Sequence, residues 1–198
     1  DVYKRQLLER ITCIVTGSDT RPDRTLSKAL AEAHNLVGEG ITQQTKTCFV
    51  KTHWPERTGC RIFEGHRVIL IIRNPFDAID SYWNLNVTNT HTETVTDEIY
   101  ESHRDMFEKL VKNEIQVWYD FHLYWLEKSR TEHLPLLLIR FEDLIQNPEN
   151  EMACIIEFLL HGKSLPSFWK QRIRHATSTT NTTTLGSYKP RTATTGVK

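Results

Sequence analysis

Two polar segments, each directly after an apolar run, carry side chains that could bind a polyanion and accept a proton. Lys51 and His53 follow one apolar run, and Arg73 follows another, with Ser81 eight residues further on. The carboxyl ends of parallel strands meet at one edge of a sheet, where α/β proteins place their chemistry. We therefore expect all four side chains to lie at one such edge.

Arg73 and Ser81 suit a phosphate group. A guanidinium offers a bidentate fork, a hydroxyl offers a shorter donor, and a helix that begins at Pro75 would add a favourable dipole. The same residues are also compatible with a surface ion pair and an ordinary serine on a helix face. Their types and spacing indicate an anion site without establishing one.

The apolar pattern predicts an α/β fold with a parallel sheet flanked by helices. Unbroken apolar runs are typical of strands buried on both faces, and three are predicted, at Cys48–Val50, Val68–Ile72 and Leu134–Ile139. Strands that alternate with helices indicate a parallel sheet. The segment Gly17–Asp23 has the composition of a turn.

Apolar residues at helical spacing predict the helices between and around these strands. Pro75 and Pro148 stand at favourable helix starts, and Gly162 stands at a favourable helix end. Asp77 is expected to cap or brace the helix that follows Pro75. The predicted helices are Tyr3–Val15, Thr25–His34, one starting at Pro75, Thr96–Ser129 with a possible break near Asn113, and one from Pro148 to Gly162.

The charge of the chain is balanced overall but unevenly distributed. Its 198 residues include 25 basic and 25 acidic side chains, which argues against a general polyanion binder, including a nucleic-acid binder. Residues 162–198 carry seven basic and no acidic side chains, so residues 1–161 have a net charge of −7. We expect residues 1–161 to form the α/β domain. Residues 162–198 would be a solvated extension or a segment that closes over a phosphate-bearing ligand.

The cysteines and the apolar runs argue against a metal site and against a membrane span. The four cysteines lack the spacing of metal ligands, so no metal site is predicted. Cys48 and Cys154 are expected to be small buried hydrophobes. No apolar run approaches the length of a membrane span. Asp1 is not a methionine, and the chain opens in what is predicted to be a helix already under way. We therefore expect the natural chain to extend upstream, where any membrane anchor would lie.

Together the two segments resemble the sulfotransferases that use 3′-phosphoadenosine-5′-phosphosulfate (PAPS) as the donor. The resemblance covers Cys48–Leu160. It rests on Lys-Thr-His-x-Pro at Lys51–Pro55, Arg-Asn-Pro-x-Asp-x-x-x-Ser at Arg73–Ser81 and an aromatic-Glu-Asp segment at Phe141–Asp143. The region Leu7–Gly40 is also similar to the branch of WSC-domain-containing sulfotransferases.

The resemblance implies a P-loop nucleoside triphosphate hydrolase-like fold and a role for each motif residue. Arg73 and Ser81 would hold the 3′-phosphate of PAPS. Lys51 would lie close to the transferring sulfonate, and His53 would take the proton from the acceptor. Glu56 is an alternative base, because some members of the family use a carboxylate.

The chain also departs from the family pattern. The family's first strand and its phosphosulfate-binding loop are absent from these 198 residues, and Phe141 stands where a tyrosine is common. Lys189 and Arg191 could form the basic loop that covers the 3′-phosphate. No metal is implied. The implied partners are the nucleotide donor and a hydroxyl- or amine-bearing acceptor, with carbohydrate or protein favoured.

Two other functions stay open. A non-catalytic sulfotransferase-like binding module is compatible with the missing loop. A P-loop nucleotide kinase would share the fold, although the chain contains no Gly-x4-Gly-Lys-Ser/Thr motif. The branch resemblance favours the lumenal side of the Golgi membrane over the cytoplasm.

Overall fold

The structure is a computed structural model that describes residues 2–19, 32, 36–42, 47–90 and 93–178. The elements in chain order are α1 (Val2–Thr12), β1 (Gly17–Asp19), β2 (Val50–Thr52), β3 (Val68–Ile72), α2 (Pro75–Thr88), α3 (Asp97–Ser102), α4 (Arg104–Glu132), β4 (Leu136–Arg140), α5 (Phe141–Gln146), α6 (Pro148–Leu159) and α7 (Ser167–Ser178).

Parallel pairing of the strands confirms the predicted α/β class. β1 pairs with β2, with Ser18 opposite Lys51, and β3 pairs with β4, with Leu70 opposite Leu138. β3 coincides with its prediction, whereas β2 and β4 each begin two residues later than predicted. The apolar runs therefore located these strands, and their exact ends depend on the partner strand.

The chain divides into two compact units. In the described part of the chain, the first unit contains the residues up to Ile72 and those from Asp120 to Ser178, and the second contains Arg73–Tyr119. All four strands belong to the first unit.

The predicted turn at Gly17–Asp23 is wrong for its first three residues, which form β1. The Gly17 N–H donates to the Phe49 carbonyl at 2.7 Å. A Cβ at Gly17 would lie 2.0 Å from the carbonyl oxygen of Ile41. The backbone at Gly17 is therefore in close contact with the backbone at Phe49 on one side and at Ile41 on the other. Tertiary pairing of this kind overrides the local preference of glycine, serine and aspartate for turns. Residues 20–23 lie outside the described part.

The core of the first unit lies between four helices, α1, α5, α6 and α7, and the strand β4. α1 contributes Leu7 and Ile11, which are fully buried, as the predicted helical stripe requires. The buried cluster consists of Leu7, Ile11, Ile139, Leu144, Met152, Ile155, Ile156, Leu165, Ile173 and Ala176. α7 lies beyond Gly162, in the basic segment, and it packs on both α1 and α6.

The second unit contains α2, α3 and the first part of α4. The predicted break near Asn113 is wrong, because Asn113 lies inside α4 and the helical stretch is interrupted at His103 instead. The His103 N–H closes α3 by donating to the Ile99 carbonyl at 3.1 Å. Asn113 is exposed, so the helix continues there at only a small cost in propensity.

Aromatic rings pack the second unit around Asn84. The rings of Trp83, Tyr100 and Phe107 contact one another with centroids 5.1 to 6.3 Å apart. The fully buried Asn84 amide donates to the Tyr100 hydroxyl at 2.9 Å and accepts from the Val95 N–H at 2.7 Å. These bonds connect α2 to α3 and to the segment between them.

The remaining local predictions have mixed outcomes. Gly162 has a φ of +73° and its N–H donates to the Glu157 carbonyl at 2.9 Å, which confirms it as the cap of α6.

Cys48 and Cys154 are exposed, so their predicted burial is wrong. Cys48 precedes β2, and Cys154 lies on α6 outside the buried face formed by residues 152, 155 and 156.

Of the predicted helix Thr25–His34, all but residue 32 lies outside the described residues. Within the described ranges, no helix is both long enough and apolar enough to cross a membrane.

Candidate functional site

The first candidate segment leaves the carboxyl end of β2 and turns back on itself within four residues. Lys51 lies in β2, and His53 follows its last residue. The Glu56 N–H donates to the His53 carbonyl at 2.6 Å, which closes the turn. The side chains meet as well, because Nδ1 of His53 lies 2.5 Å from Oε2 of Glu56. Both side chains are about one-third exposed, at 34% and 32%, so they are accessible to a ligand.

Tryptophan side chains anchor this turn to α4. The indole Nε1–H of Trp125 donates to the Trp54 carbonyl at 3.1 Å. The ring of Trp54 contacts Tyr124 edge to face, with centroids 6.1 Å apart. The Trp54 N–H donates to the hydroxyl of Thr52 at 3.0 Å. The backbone around His53 is therefore restrained at both the strand and the helix.

The charge state of Glu56 follows from its neighbours. Burial alone would raise the pKa of this carboxyl. The hydrogen bond from His53 and the positive charges of His53, Arg57 and Lys51 outweigh burial and hold the pKa of Glu56 below its ordinary value of 4.5. Arg57 contacts the other carboxylate oxygen, with Nε 3.7 Å from Oε1. Glu56 is thus an ionised carboxylate at neutral pH.

A buried polar network surrounds β1, the strand that pairs with β2 beside Lys51. Ser18, which is opposite Lys51 in the sheet, is fully buried and its hydroxyl accepts from the Gly40 N–H at 3.0 Å. Glu39 forms an ion pair with Arg5, and both side chains are nearly closed to solvent. Burial would raise the pKa of Glu39, but hydrogen bonds from Ser18 and Arg5 and the charges of Arg5 and Lys51 hold it below 4.5.

Sequence reasoning missed this network because Thr16–Asp19 has turn-forming composition. The signal in the sequence was the resemblance of the region Leu7–Gly40 to the WSC branch, because that region contains both this segment and Gly38-Glu39-Gly40. A Cβ at Gly38 would lie 2.2 Å from the Thr16 carbonyl oxygen, so the second segment must approach the first as closely as only glycine permits.

The second candidate segment follows β3 and belongs to the second unit. Arg73 precedes α2, and its carbonyl accepts a hydrogen bond from Nε1–H of Trp118 at 3.1 Å. Asn74 is the N-cap of α2, with its side chain accepting from the Phe76 N–H at 2.9 Å and from the Asp77 N–H at 3.5 Å. The helix start is thus satisfied by its own cap, and Asp77 lies in the first turn without being the cap. The side chains of Arg73 and Ser81 are both half-buried.

The predicted site residues are distributed over both units. The structure brings Lys51, His53 and Glu56 together in the first unit, and Arg73 and Ser81 belong to the second. The meeting of all these side chains at one sheet edge stays a prediction. Lys189 and Arg191 lie outside the described residues. Among the residues that are described, no group of three or more His, Cys, Asp or Glu side chains could hold a metal ion.

Comparison with known proteins places both segments within one family. A family model described as the sulfotransferase domain matches residues 8–194. The chain belongs to the sulfotransferase domain family. The match includes both strand-end segments and α7, so the sulfotransferase domain extends well beyond the region on which the motif resemblance rests.

Individual relatives of this sulfotransferase domain come from two groups. Sulfotransferase 1A1 of Rattus norvegicus is 33% identical over 115 residues, which are 57% of this chain and 36% of that protein. WSCD family members of Drosophila pseudoobscura pseudoobscura and of Aedes aegypti are each 26% identical, over 160 and 162 residues, which are 80% of this chain and 46% of those proteins. The chain thus spans less than half the length of these relatives. No solved structure matches it.

Proposed function

We propose that the protein to which this sulfotransferase domain belongs transfers the sulfonate group of PAPS to a hydroxyl or amine acceptor. The observation that carries the proposal is the family match over residues 8–194, which contains both strand-end segments. Family membership favours this reaction over the nucleotide kinase alternative. A carbohydrate or a protein is the acceptor class that we favour, and the Golgi lumen is the compartment that the branch resemblance favours.

Donor binding would use the second segment. Arg73 and Ser81 would hold the 3′-phosphate, with Arg73 supplying charge and paired N–H donors and Ser81 one hydroxyl. Two observations support this role. The hydrogen bond from Trp118 fixes the backbone of Arg73. The side chain of Asn74 already accepts from the N–H groups at the start of α2, so the phosphate would be bound mainly by side chains. Lys189 and Arg191 are further candidates for the same phosphate.

Transfer would use the first segment. The acceptor oxygen or nitrogen forms a bond to sulfur while the bond from sulfur to the phosphate oxygen breaks, which releases adenosine 3′,5′-bisphosphate. Lys51 would stabilise the negative charge that builds up on the leaving oxygen. His53 would take the acceptor proton, because an imidazole accepts a proton near neutral pH.

The proposal is tested by measuring the transfer of radiolabelled sulfonate from PAPS to a panel of hydroxyl and amine acceptors. In the full-length protein, we expect transfer by the wild type, none above background by His53→Ala, and wild-type rates for the control His66→Ala, which changes an exposed histidine in a loop of the same unit. Bisphosphate binding without transfer to any acceptor would support the binding-module alternative instead. Magnesium-dependent turnover of ATP would support the kinase.

A further inference from the structure

Glu56 contacts His53 in a way that determines which ring nitrogen carries the proton. Oε2 of Glu56 lies 2.5 Å from Nδ1 of His53. An ionised carboxylate can only accept hydrogen bonds, so Nδ1 must be the donor in this contact. The neutral imidazole then has its lone pair on Nε2.

The contact is built into the backbone. The turn that places residue 56 over residue 53 is closed by the Glu56 N–H and the His53 carbonyl at 2.6 Å. Trp54, between them, is anchored by the Nε1–H of Trp125 at 3.1 Å. The backbone positions of His53 and Glu56, from which the two side chains meet, are therefore restrained.

The surroundings of Glu56 argue against its acting as the base. One carboxylate oxygen contacts His53, and the other lies 3.7 Å from Nε of Arg57. Burial would raise its pKa, but the hydrogen bond from His53 and the positive charges around it, including those of Arg57 and Lys51, hold that pKa below 4.5. A carboxylate stabilised in its ionised form is a weak proton acceptor.

We propose that Glu56 is a positioning residue that holds His53 in the Nδ1–H tautomer and so presents Nε2 to the acceptor. The role of Nε2 in transfer rests on the proposed function, whereas the tautomer is a property of the chain alone. During transfer the acceptor proton moves to Nε2, and the resulting imidazolium keeps its Nδ1–H on the Glu56 carboxylate, which stabilises the positive charge.

The tautomer is tested by nitrogen NMR of the chain labelled with ¹⁵N-histidine, at a pH where the imidazole is neutral. We expect the Nδ1–H form of His53 in the wild type and a shift toward the Nε2–H form, which histidine favours in water, in Glu56→Ala. Glu56→Gln should retain the Nδ1–H form, because its amide oxygen still accepts. Arg57→Ala, the matched control, removes the other partner of Glu56 and should leave the tautomer unchanged.

Two results would overturn the assignment of the tautomer. One is an Nε2–H form in the wild type, and the other is a tautomer that Glu56→Ala does not change while the amide spectrum shows a folded chain. If the alanine variant does not fold, the wild-type spectrum still decides, because an Nε2–H form of His53 would overturn the assignment by itself.

The kinetic measurement separates this inference from the proposed function. In Glu56→Ala, kcat should fall about 10-fold or more, with KM for PAPS unchanged, since misplacing a general base removes part of its roughly 100-fold or greater effect. An altered tautomer with an unchanged kcat would overturn the positioning role. Absence of transfer in the wild type would instead overturn the proposed function, while the NMR result would still decide the tautomer.

Discussion

Arg5 and Glu39 form an ion pair across 34 residues of sequence, with side-chain exposures of 7% and 12%. The guanidinium of Arg5 also donates from Nε to the hydroxyl and from Nη2 to the carbonyl of Thr16, both at 2.9 Å. Thr16 in turn donates its N–H and its hydroxyl to Glu9, at 2.8 and 2.7 Å. This network joins α1 to β1 and to the segment that packs over it.

Neutralising the buried ion pair should destabilise the protein. Glu39→Gln leaves the charge of Arg5 buried without its counter-ion, and breaking a buried pair in this way costs about 3 kcal/mol. Chemical denaturation followed by circular dichroism measures the change in the free energy of unfolding. Glu64→Gln, at an exposed position in the same unit, should change it little. A loss no greater than that of the control would show that the pair is not a stabilising contact.

The same carboxylate should make stability depend on pH. Because the pKa of Glu39 in the folded chain is lower than in the unfolded chain, ionised Glu39 stabilises the fold above about pH 4.5, and this contribution is lost as the pH falls toward its lower folded value. The wild type should therefore lose its advantage over Glu39→Gln on acidification. Denaturation curves of both proteins at neutral pH and below pH 4.5 measure this. An advantage that did not change with pH would contradict the prediction.

Removing the Asn84 side chain should loosen the second unit locally. Asn84→Ala breaks its bonds to the Asp80 carbonyl at 2.8 Å, the Tyr100 hydroxyl and the Val95 N–H. The loss of several buried hydrogen bonds should lower the melting temperature and cost about 2 kcal/mol. Hydrogen exchange should show faster exchange of the Val95 amide. The matched control is Asn86→Ala, which changes an exposed asparagine on the same helix.

Donor binding provides the test of Arg73. In the full-length protein, Arg73→Ala should weaken the binding of adenosine 3′,5′-bisphosphate by about 2 to 4 kcal/mol, because a charge-assisted bidentate contact is lost. The binding of 5′-AMP should change much less, since it lacks the 3′-phosphate. Isothermal titration calorimetry measures both.

Arg140→Ala is the control for that measurement. Arg140 is the last residue of β4, whereas Arg73 directly follows β3. Arg140 is exposed and pairs with Asp143 at 3.5 Å. Equal losses in the two variants, or equal affinity of the wild type for bisphosphate and 5′-AMP, would contradict a specific role for Arg73 at the 3′-phosphate.

Apolar patterning carried most of the information about the fold. The run at Val68–Ile72 predicted β3 to the residue, and the stripe containing Leu7 and Ile11 predicted the buried face of α1. Both signals are periodicities within a single element, so they need no knowledge of the partner. Pro75 and Gly162 likewise marked a helix start and a helix end through their own backbone preferences.

Local patterning failed where contacts with distant residues set the structure. Gly17–Asp19 became a strand because β2 supplies its hydrogen bonds. Asn113 did not interrupt α4, whereas His103 ended α3. Cys154 is exposed because it lies outside the face of α6 that is buried in the core. Which face is buried depends on where neighbouring elements such as α7 pack.

The order and spacing of the motif residues were sufficient to identify the sulfotransferase family and to nominate Lys51, His53, Arg73 and Ser81. They left open whether His53 or Glu56 is the base. That choice depends on a turn that brings the two side chains to 2.5 Å and on cations that keep Glu56 ionised. A linear pattern records which groups are present, whereas the protonation of each group depends on distance and burial, which exist only once the chain has folded.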